Sequence, residues 1–389
     1  MKRFSLLLSI CLFLLAKGQA VILLDTGDPG VNTAAPAGAL TDSGWQYEAS
    51  WGGFLGTPIA PNFFISAAHI GQAGNGLIFQ GTTYPVIGSY SLPGSDLMIW
   101  KVGIPFTTFA PIYTKNDEIG HHLVVIGRGT QRGGQLVWEN TIRGWYWGRG
   151  DGVRRWGEND IADVVPYSGH DLLYATFDQH VVDNDHPNET HLSSGDSGGA
   201  VFLNDSGAWK VAGINYAVDG PFWFAVPPLG QAGETQFEAA LFDATGLYEI
   251  EDTIFPYVQI PGPGPTPTGF YASRISSELA WIASVIADPR IGREGNYLTL
   301  TYWRLTVPST DIVYEVDRSS DLASWELAAT RDEVVASVGD FEQIKAKIDP
   351  VTINRLFVRL QVTRPENAAE KVRSTVTERR VRIVPLSNR

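Results

Sequence analysis

The chain has 389 residues, of which 44% are hydrophobic and 18% are charged. This length predicts two or three folded units, and this composition excludes a chain that is disordered over most of its length. The formal net charge of −13 disfavours a general nucleic-acid-binding protein, which needs a basic surface to displace counterions from phosphates.

Residues 1–20 have the pattern of a signal peptide. Two basic residues precede an apolar run from Leu6 to Ala16, and small residues end the segment at Ala20. The run is too short to span a bilayer as a stable helix, and no later run is long enough. Cleavage after Ala20 takes the formal charge from −13 to −16 and removes Cys11, the only cysteine. The sequence therefore predicts an exported protein, secreted or in the cell envelope, with no membrane span and no disulfide.

The next segments predict β structure. Residues 21–40 are rich in small residues, which indicates an extended leader or a propeptide. In residues 41–255, short apolar runs alternate with glycine-rich turns, a pattern typical of strands in a barrel or sandwich. One capping box, Thr235–Glu238, is followed by Ala240 and Leu241, and together they predict a short helix that closes this region.

The last part of the chain predicts a second β unit. Residues 256–268 contain Pro261-Gly-Pro-Gly-Pro-Thr-Pro267, a composition that predicts a stiff linker. Strand-like runs with alternating polarity in residues 269–365 predict a small antiparallel β-sandwich that serves as an accessory domain. Residues 371–389 contain six basic residues and one acidic residue, and residues 366–389 are either a basic tail that contacts an anionic surface or a final edge strand.

Ser197 is the candidate nucleophile. It lies between glycines in the turn Gly195-Asp-Ser-Gly-Gly199, just before an apolar run. Glycines let a substrate backbone approach such a hydroxyl, and the backbone N–H groups of the turn can converge on an oxyanion. A serine hydroxyl also needs a neighbouring base.

His69 and Asp96 are the candidate partners of that serine. His69 ends a strand-like run, where its imidazole is available as the base, and Asp96 begins another buried run, where its carboxylate can orient an imidazole. Asp117 and Asp151 are weaker candidates for the carboxylate because no buried run follows them.

Three segments together resemble the signature segments of the trypsin/chymotrypsin-like serine proteases: Ser66-Ala-Ala-His69, Ser95-Asp-Leu-Met-Ile99 and Gly195–Gly199, in that family's chain order. The resemblance covers about residues 41–250 and implies an all-β fold, a double β-barrel with a short C-terminal helix. It implies that His69 is general base and then acid, that Asp96 orients it, and that Ser197 is the nucleophile. The backbone N–H groups of Gly195 and Ser197 then form the oxyanion hole.

The resemblance implies a serine endopeptidase that hydrolyses a protein or peptide through an acyl-enzyme, without a cofactor. Members of the family often mature by a cleavage whose new N-terminus pairs with the aspartate before the serine, here Asp196. The usual basic residue followed by Ile-Val-Gly-Gly is absent. Because an unpaired buried carboxylate is costly, we expect either another partner for Asp196 or a different trimming of residues 21–40.

The sequence determines the substrate-binding residues less closely than it determines the three catalytic candidates. His191 occupies the position that forms the base of the primary pocket in the family, which disfavours a preference for Lys or Arg. It can favour an acidic or polar side chain, or simply face solvent. Tyr216, Ala217 and Val218 lie in a segment that resembles the strand holding extended substrate, and backbone pairing there needs no particular side chain.

Two other functions remain open at the level of the sequence. A noncatalytic binding or adhesion protein on a degenerate protease scaffold is favoured by the missing activation sequence, and an esterase would use the same three residues.

No metal site is predicted, because His180, His186 and His191 match no compact zinc motif and residues 183–189 lack the glycine of a calcium loop. The sequence does not define an oligomeric state.

Overall fold

The computed structural model describes residues 21–179, 186–226, 236–250, 257–307, 311–348, 356–365 and 383–385. The predicted signal peptide and most of residues 366–389 lie outside the described residues. Within the described ranges, strands predominate and Leu279–Ala287 (α1) is the one α-helix. No helix in these ranges is long and apolar enough to cross a membrane. The all-β prediction is confirmed.

The first unit is a closed six-stranded barrel. After a short strand β1 (Ile22–Leu23), the barrel strands are β2 (Ala49–Trp51), β3 (Phe54–Ala60), β4 (Phe63–Ala67), β5 (Gly76–Phe79), β6 (Thr82–Ser91) and β7 (Leu97–Val102). They close in the order β2-β3-β4-β7-β6-β5. All five residues of β4 are buried, because Phe64 packs with Trp51 and Trp100 while Phe63 and Ile65 belong to a core shared with the second unit.

The second unit is built on a larger antiparallel sheet with the strand order β11-β8-β15-β16-β20-β13-β12. Its two end strands, β11 and β12, are consecutive in the chain and only Ile161 and Ala162 separate them. This short connection brings the two edge strands of the sheet near each other. The strands of this region are β8 (His122–Gly127), β9 (Thr130–Trp138), β10 (Thr141–Gly150), β11 (Arg155–Asp160), β12 (Asp163–Tyr167), β13 (His170–Thr176), β14 (Thr190–His191), β15 (Ala200–Asp205), β16 (Ala208–Asp219), β17 (Ala239–Leu241), β18 (Tyr248–Ile250), β19 (Tyr257–Gln259) and β20 (Gly269–Arg274).

The predicted position of the short helix is wrong. Ala239–Leu241 forms strand β17 and pairs with β10, and the backbones of Phe222 and Phe237 bond to each other just before it. Pairing with β10 satisfies the backbone groups of this segment, and such tertiary pairing overrides a local capping signal. The helix comes later, as α1, directly after the second sheet. Thr235 lies outside the described residues.

The boundary between the two predicted domains also moves. Strand β20, which the sequence analysis assigns to the accessory domain, pairs with β13 on one side and β16 on the other. Leu279 and Ile282 of α1 are buried in the same core as Ile65 and Phe341. The part of the chain that carries the catalytic candidates therefore extends through α1.

The C-terminal unit begins after α1 and contains two antiparallel sheets. One has the order β21-β22-β26-β25 and the other β24-β23-β27. Leu300 and Ile344 of the first sheet share a core with Val316 of the second, as in a sandwich. The strands are β21 (Arg290–Glu294), β22 (Tyr297–Leu305), β23 (Val313–Ser319), β24 (Glu326–Leu327), β25 (Thr330–Val338), β26 (Phe341–Ile348) and β27 (Phe357–Thr363).

Parts of residues 21–40 pack against the second unit, and whether the segment is a propeptide stays a prediction. Val21, Ile22 and Leu23 are buried, and β1 pairs with β14. Further along, the Trp156 indole N–H donates to Ala34 O at 2.9 Å. This apolar start of the segment is held inside the second unit because its side chains fill the core there.

Candidate active site

The ladder between β4 and β7 brings His69 and Asp96 together. Ala67 at the end of β4 pairs with Leu97 at the start of β7, so the residues just outside this pair are neighbours. The Ala68 N–H donates to the Asp96 carbonyl oxygen at 2.6 Å, and the His69 N–H donates to Asp96 Oδ1 at 2.8 Å. Two backbone donors thus hold the aspartate beside the histidine before the two side chains make contact.

The His69 ring connects Asp96 to Ser197. His69 Nδ1 lies 2.8 Å from Asp96 Oδ2, and His69 Nε2 lies 2.8 Å from Ser197 Oγ. A carboxylate at Nδ1 favours the tautomer that carries its proton there, which leaves Nε2 as the acceptor of the serine proton. The His69 and Asp96 side chains are only 14% and 9% exposed, so little water competes for these bonds.

Two glycines allow the turn of Ser197 to lie against both units. Gly198 has φ +75°, and a Cβ there would lie 2.6 Å from Leu55 O of the first barrel. A Cβ at Gly199 would lie 2.1 Å from Ile126 O of the second sheet. A side chain at either position would push the turn away from the strands that support it, so the glycines are needed for close approach.

Two backbone donors in the turn are available. The N–H groups of Asp196, Gly198 and Gly199 donate to carbonyl oxygens. Within the described part of the chain, no protein acceptor is paired with the N–H groups of Gly195 and Ser197. Gly195 has φ +95°, a conformation that reorients the backbone at this point. These two donors are the ones the resemblance assigns to an oxyanion hole.

Asp196 points away from the serine and is fully buried. Its carboxylate accepts the N–H of Gly129 at 2.7 Å and the N–H of Ser193 at 2.8 Å. The Ser193 hydroxyl also donates to it at 3.1 Å, and the backbone N–H of Val21 faces it and lowers its pKa. Burial nevertheless raises the pKa of Asp196 to about 6, because removal from water outweighs these donors.

Val21 is the partner that the sequence analysis does not identify. Ala20 is the predicted end of the signal peptide, and Val21 opens an apolar run of four residues. That apolar run is the sequence signal that Val21 is buried, because four large hydrophobic residues at the start of a solvated leader would be exposed to water.

Tyr216, Ala217 and Val218 lie where β16 continues beyond the end of β15. The last β15 pair is Ala200 with Ile214, and Asn215 holds the serine turn through bonds to Gly199 and Gly198. The Tyr216 ring lies 5.9 Å from the His69 ring. These residues therefore form a strand that leads away from the serine, as an extended peptide would require.

The outer side of that strand is occupied by the chain itself. Strand β28 (Ile383–Pro385) pairs antiparallel with Ala217–Asp219, on the side opposite β20. The part of residues 366–389 that the structure describes is thus a strand. It lies against the residues that the sequence analysis assigns to substrate.

The ring of His191 bonds to Leu192 and Thr268. It is fully buried, with Nδ1 2.6 Å from Leu192 O and Nε2 3.3 Å from Thr268 Oγ1. Burial lowers the pKa of His191 to about 4. The ring is therefore neutral at pH 7 and offers no positive charge to an acidic substrate side chain. A polar contact with substrate stays a prediction.

No family model and no curated protein matches the chain. Among solved structures, the HtrA-type protease AlgW with a decapeptide is 11% identical with a TM-score of 0.34, and the match covers 61% of this chain and 54% of AlgW. The inactive form of Rv3671c from M. tuberculosis is 14% identical with a TM-score of 0.34, over 67% of this chain and 98% of that one. The murine norovirus NS6 protease is 12% identical with a TM-score of 0.27, over 51% and 94%. This chain thus spans about half the length of AlgW.

Proposed function

We propose that the protein is an exported serine endopeptidase. The observation that carries the proposal is the unbroken chain of contacts from Asp96 through His69 to Ser197, with both links at 2.8 Å. A neutral imidazole in this position removes the serine proton as the hydroxyl attacks, and the carboxylate stabilises the imidazolium that forms. This arrangement turns a weak nucleophile into an effective one.

The reaction has two halves. Ser197 Oγ bonds to the carbonyl carbon of the substrate while its proton moves to His69 Nε2. The carbonyl electron pair moves onto oxygen, where the N–H groups of Gly195 and Ser197 stabilise the charge. When the C–N bond breaks, the leaving amine takes the proton from His69. Water then attacks the acyl-enzyme with His69 again as the base, which releases the acid and restores the serine.

The proposal includes cleavage after Ala20, which makes Val21 the first residue of the mature chain. Its nitrogen then becomes an ammonium at the position where its N–H already faces Asp196. A positive charge there compensates a fully buried carboxylate for which hydrogen bonds alone are insufficient. Val21 also has φ +50°, which a β-branched residue rarely adopts, and cleavage removes the carbonyl group that defines this angle. Export and maturation would thereby become the same step.

A fluorophosphonate probe tests the proposal because it reacts with a serine only when a base and an oxyanion hole activate it. We expect labelling of the mature protein, with the label mapped to Ser197 by mass spectrometry. The variants Ser197→Ala and His69→Ala should lose the label, and Ser206→Ala, on an exposed turn, should keep it. Absence of label on Ser197 would favour a noncatalytic binding protein. An active serine with ester turnover but no peptide turnover would favour an esterase.

A further inference from the structure

A second cluster of reactive side chains lies at the edge of the second sheet, outside the proposed active site. His122 begins β8 and Asp160 ends β11, and the two residues are direct partners in the ladder between these strands. His186 reaches them from the segment that leads to β14. The three side chains each offer one ligand atom, and these atoms all lie within 4.8 Å of one another.

The separations suit a small divalent cation. His186 Nε2 is 3.0 Å from Asp160 Oδ2, and His122 Nδ1 is 3.4 Å from Asp160 Oδ1. Zinc binds nitrogen and oxygen ligands at about 2.0–2.2 Å in a tetrahedron, which places neighbouring ligand atoms roughly 3.3 Å apart. The His122 and His186 rings are stacked with their centroids 4.6 Å apart, so a shared ion requires the rings to rotate until both nitrogens point at it.

Glu158 orients His122 for this purpose. Its Oε1 lies 3.1 Å from His122 Nε2. Because a carboxylate can only accept, Nε2 carries a hydrogen and donates a hydrogen bond to it. The other nitrogen, Nδ1, lies 3.4 Å from Asp160 Oδ1. A histidine that donates to a carboxylate through one nitrogen and turns the other toward a site is the usual arrangement around a bound metal.

We propose that His122 Nδ1, Asp160 and His186 Nε2 bind one zinc ion, with solvent at the fourth position. Two imidazoles and one carboxylate are ligands that suit zinc better than they suit calcium or magnesium. The side chains of His122 and Asp160 are 33% and 49% exposed, so an ion in solution can reach them.

The ion would join three separate stretches of chain. The segment of His186 already lies along β11, where the Glu158 N–H donates to Asn188 O at 2.8 Å. From there the chain runs through β14 to the turn of Ser197. In a mature chain without cysteine, a metal at this position supplies the cross-link that a disulfide supplies elsewhere. Its role is to stabilise the fold, and it takes no part in the proposed hydrolysis.

The same contacts also suit a protonated histidine between two carboxylates, and titration with metal separates the two cases. Metal-free mature protein is titrated with Zn²⁺ by calorimetry and with Co²⁺ by visible absorption. We expect one ion per chain and the Co²⁺ spectrum of a tetrahedral site with nitrogen and oxygen ligands. His122→Ala and Asp160→Asn should weaken binding at least tenfold. Glu158→Gln, which leaves all three ligands in place, should weaken it about 10- to 100-fold.

Two controls locate the ion. His170 also pairs with a carboxylate, Glu278, at 2.9 Å, but it lies outside the cluster. His170→Ala should bind Zn²⁺ as the unchanged protein does. His69→Ala should also bind it, because the ion does not occupy the proposed active site. The absence of binding would overturn the proposal, as would binding that persists in both His122→Ala and Glu158→Gln. Because the test measures binding and not hydrolysis, its outcome is independent of the proposed protease activity.

Discussion

The backbone N–H of Val21 faces the carboxylate of Asp196 and lowers its pKa, and both residues are fully buried. This contact links the start of the mature chain proposed above to the residue next to Ser197. The β1–β14 pair supports it, since Ile22 pairs with His191 a few residues before the serine turn. The order of that turn should therefore depend on where the chain begins.

Extending the mature chain should reduce its activity. Two extra residues before Val21 convert its ammonium group into an amide. The added residues must also extend outward from the buried position of the Val21 nitrogen. We expect kcat/KM for peptide substrates to fall at least tenfold, because the turn that holds Ser197 loses a buried ion pair. The comparison is between proteins that begin at Val21 and at Gln19, with circular dichroism as the control for folding. Equal activity of the two proteins would refute a role for the Val21 nitrogen.

Asp196 should make the extended protein less stable as pH rises. Burial raises its folded pKa to about 6, against an ordinary value of 3.8. The folded state therefore holds a proton that the unfolded state has already lost, and the free energy of unfolding falls between about pH 4 and pH 6. Urea unfolding of the extended protein and its Asp196→Asn variant at several pH values isolates this contribution. We expect the difference between them to change across that range, and a pH-independent difference would contradict the assignment. In the mature protein the Val21 ammonium should make this fall in the free energy of unfolding smaller, because it stabilises the ionised carboxylate.

Replacing Asp96 should disable the histidine without unfolding the protein. Asparagine keeps the shape of the side chain but permits the wrong tautomer of His69, and the loss typical of such a change is about 10⁴-fold in kcat. Asp117→Asn is the matched control, since Asp117 accepts from the Tyr113 hydroxyl and not from His69. Similar losses in the two variants would show that Asp96 is not the orienting carboxylate.

Releasing β28 should open the strand of β16 that an extended substrate would use. Pairing of Ile383–Pro385 with Ala217–Asp219 and pairing of a peptide there are mutually exclusive. We expect removal of residues 383–389, or Val384→Pro, to raise kcat/KM for peptides severalfold, because proline cannot donate to the ladder. Val384→Ala keeps the N–H and should have a smaller effect. Labelling by a small fluorophosphonate reports the serine separately, so unchanged peptide kinetics with intact labelling would exclude competition by β28.

The sequence predicted the strands well because their signals are local, and the same signals led to the candidate residues, whose roles stay predictions. His69, Asp96 and Ser197 each sit beside a buried apolar run, and such runs fix where strands begin and end. Alternation of polar and apolar residues in strands such as Tyr297–Leu305 indicated the strands of the C-terminal unit for the same reason.

The errors come from long-range pairing. Ala239–Leu241 carries a helical signal, but β10 provides a partner for its backbone. Gly269–Arg274 follows a linker-like segment and still joins the second sheet between β13 and β16. The cluster of His122, Asp160 and His186 was not predicted because its members are far apart in sequence and form no spacing motif. Only the ladder of β8 with β11 brings the first two together.

Hydrolysis of a peptide library by the mature protein and by its Ser197→Ala variant tests the central claim most directly. The substitution removes one oxygen, and Ser206→Ala serves as the control. We predict that the unchanged protein cleaves peptide bonds and that Ser197→Ala loses about four to six orders of magnitude in kcat while its thermal unfolding stays intact. Undiminished cleavage by a folded Ser197→Ala protein would contradict the account.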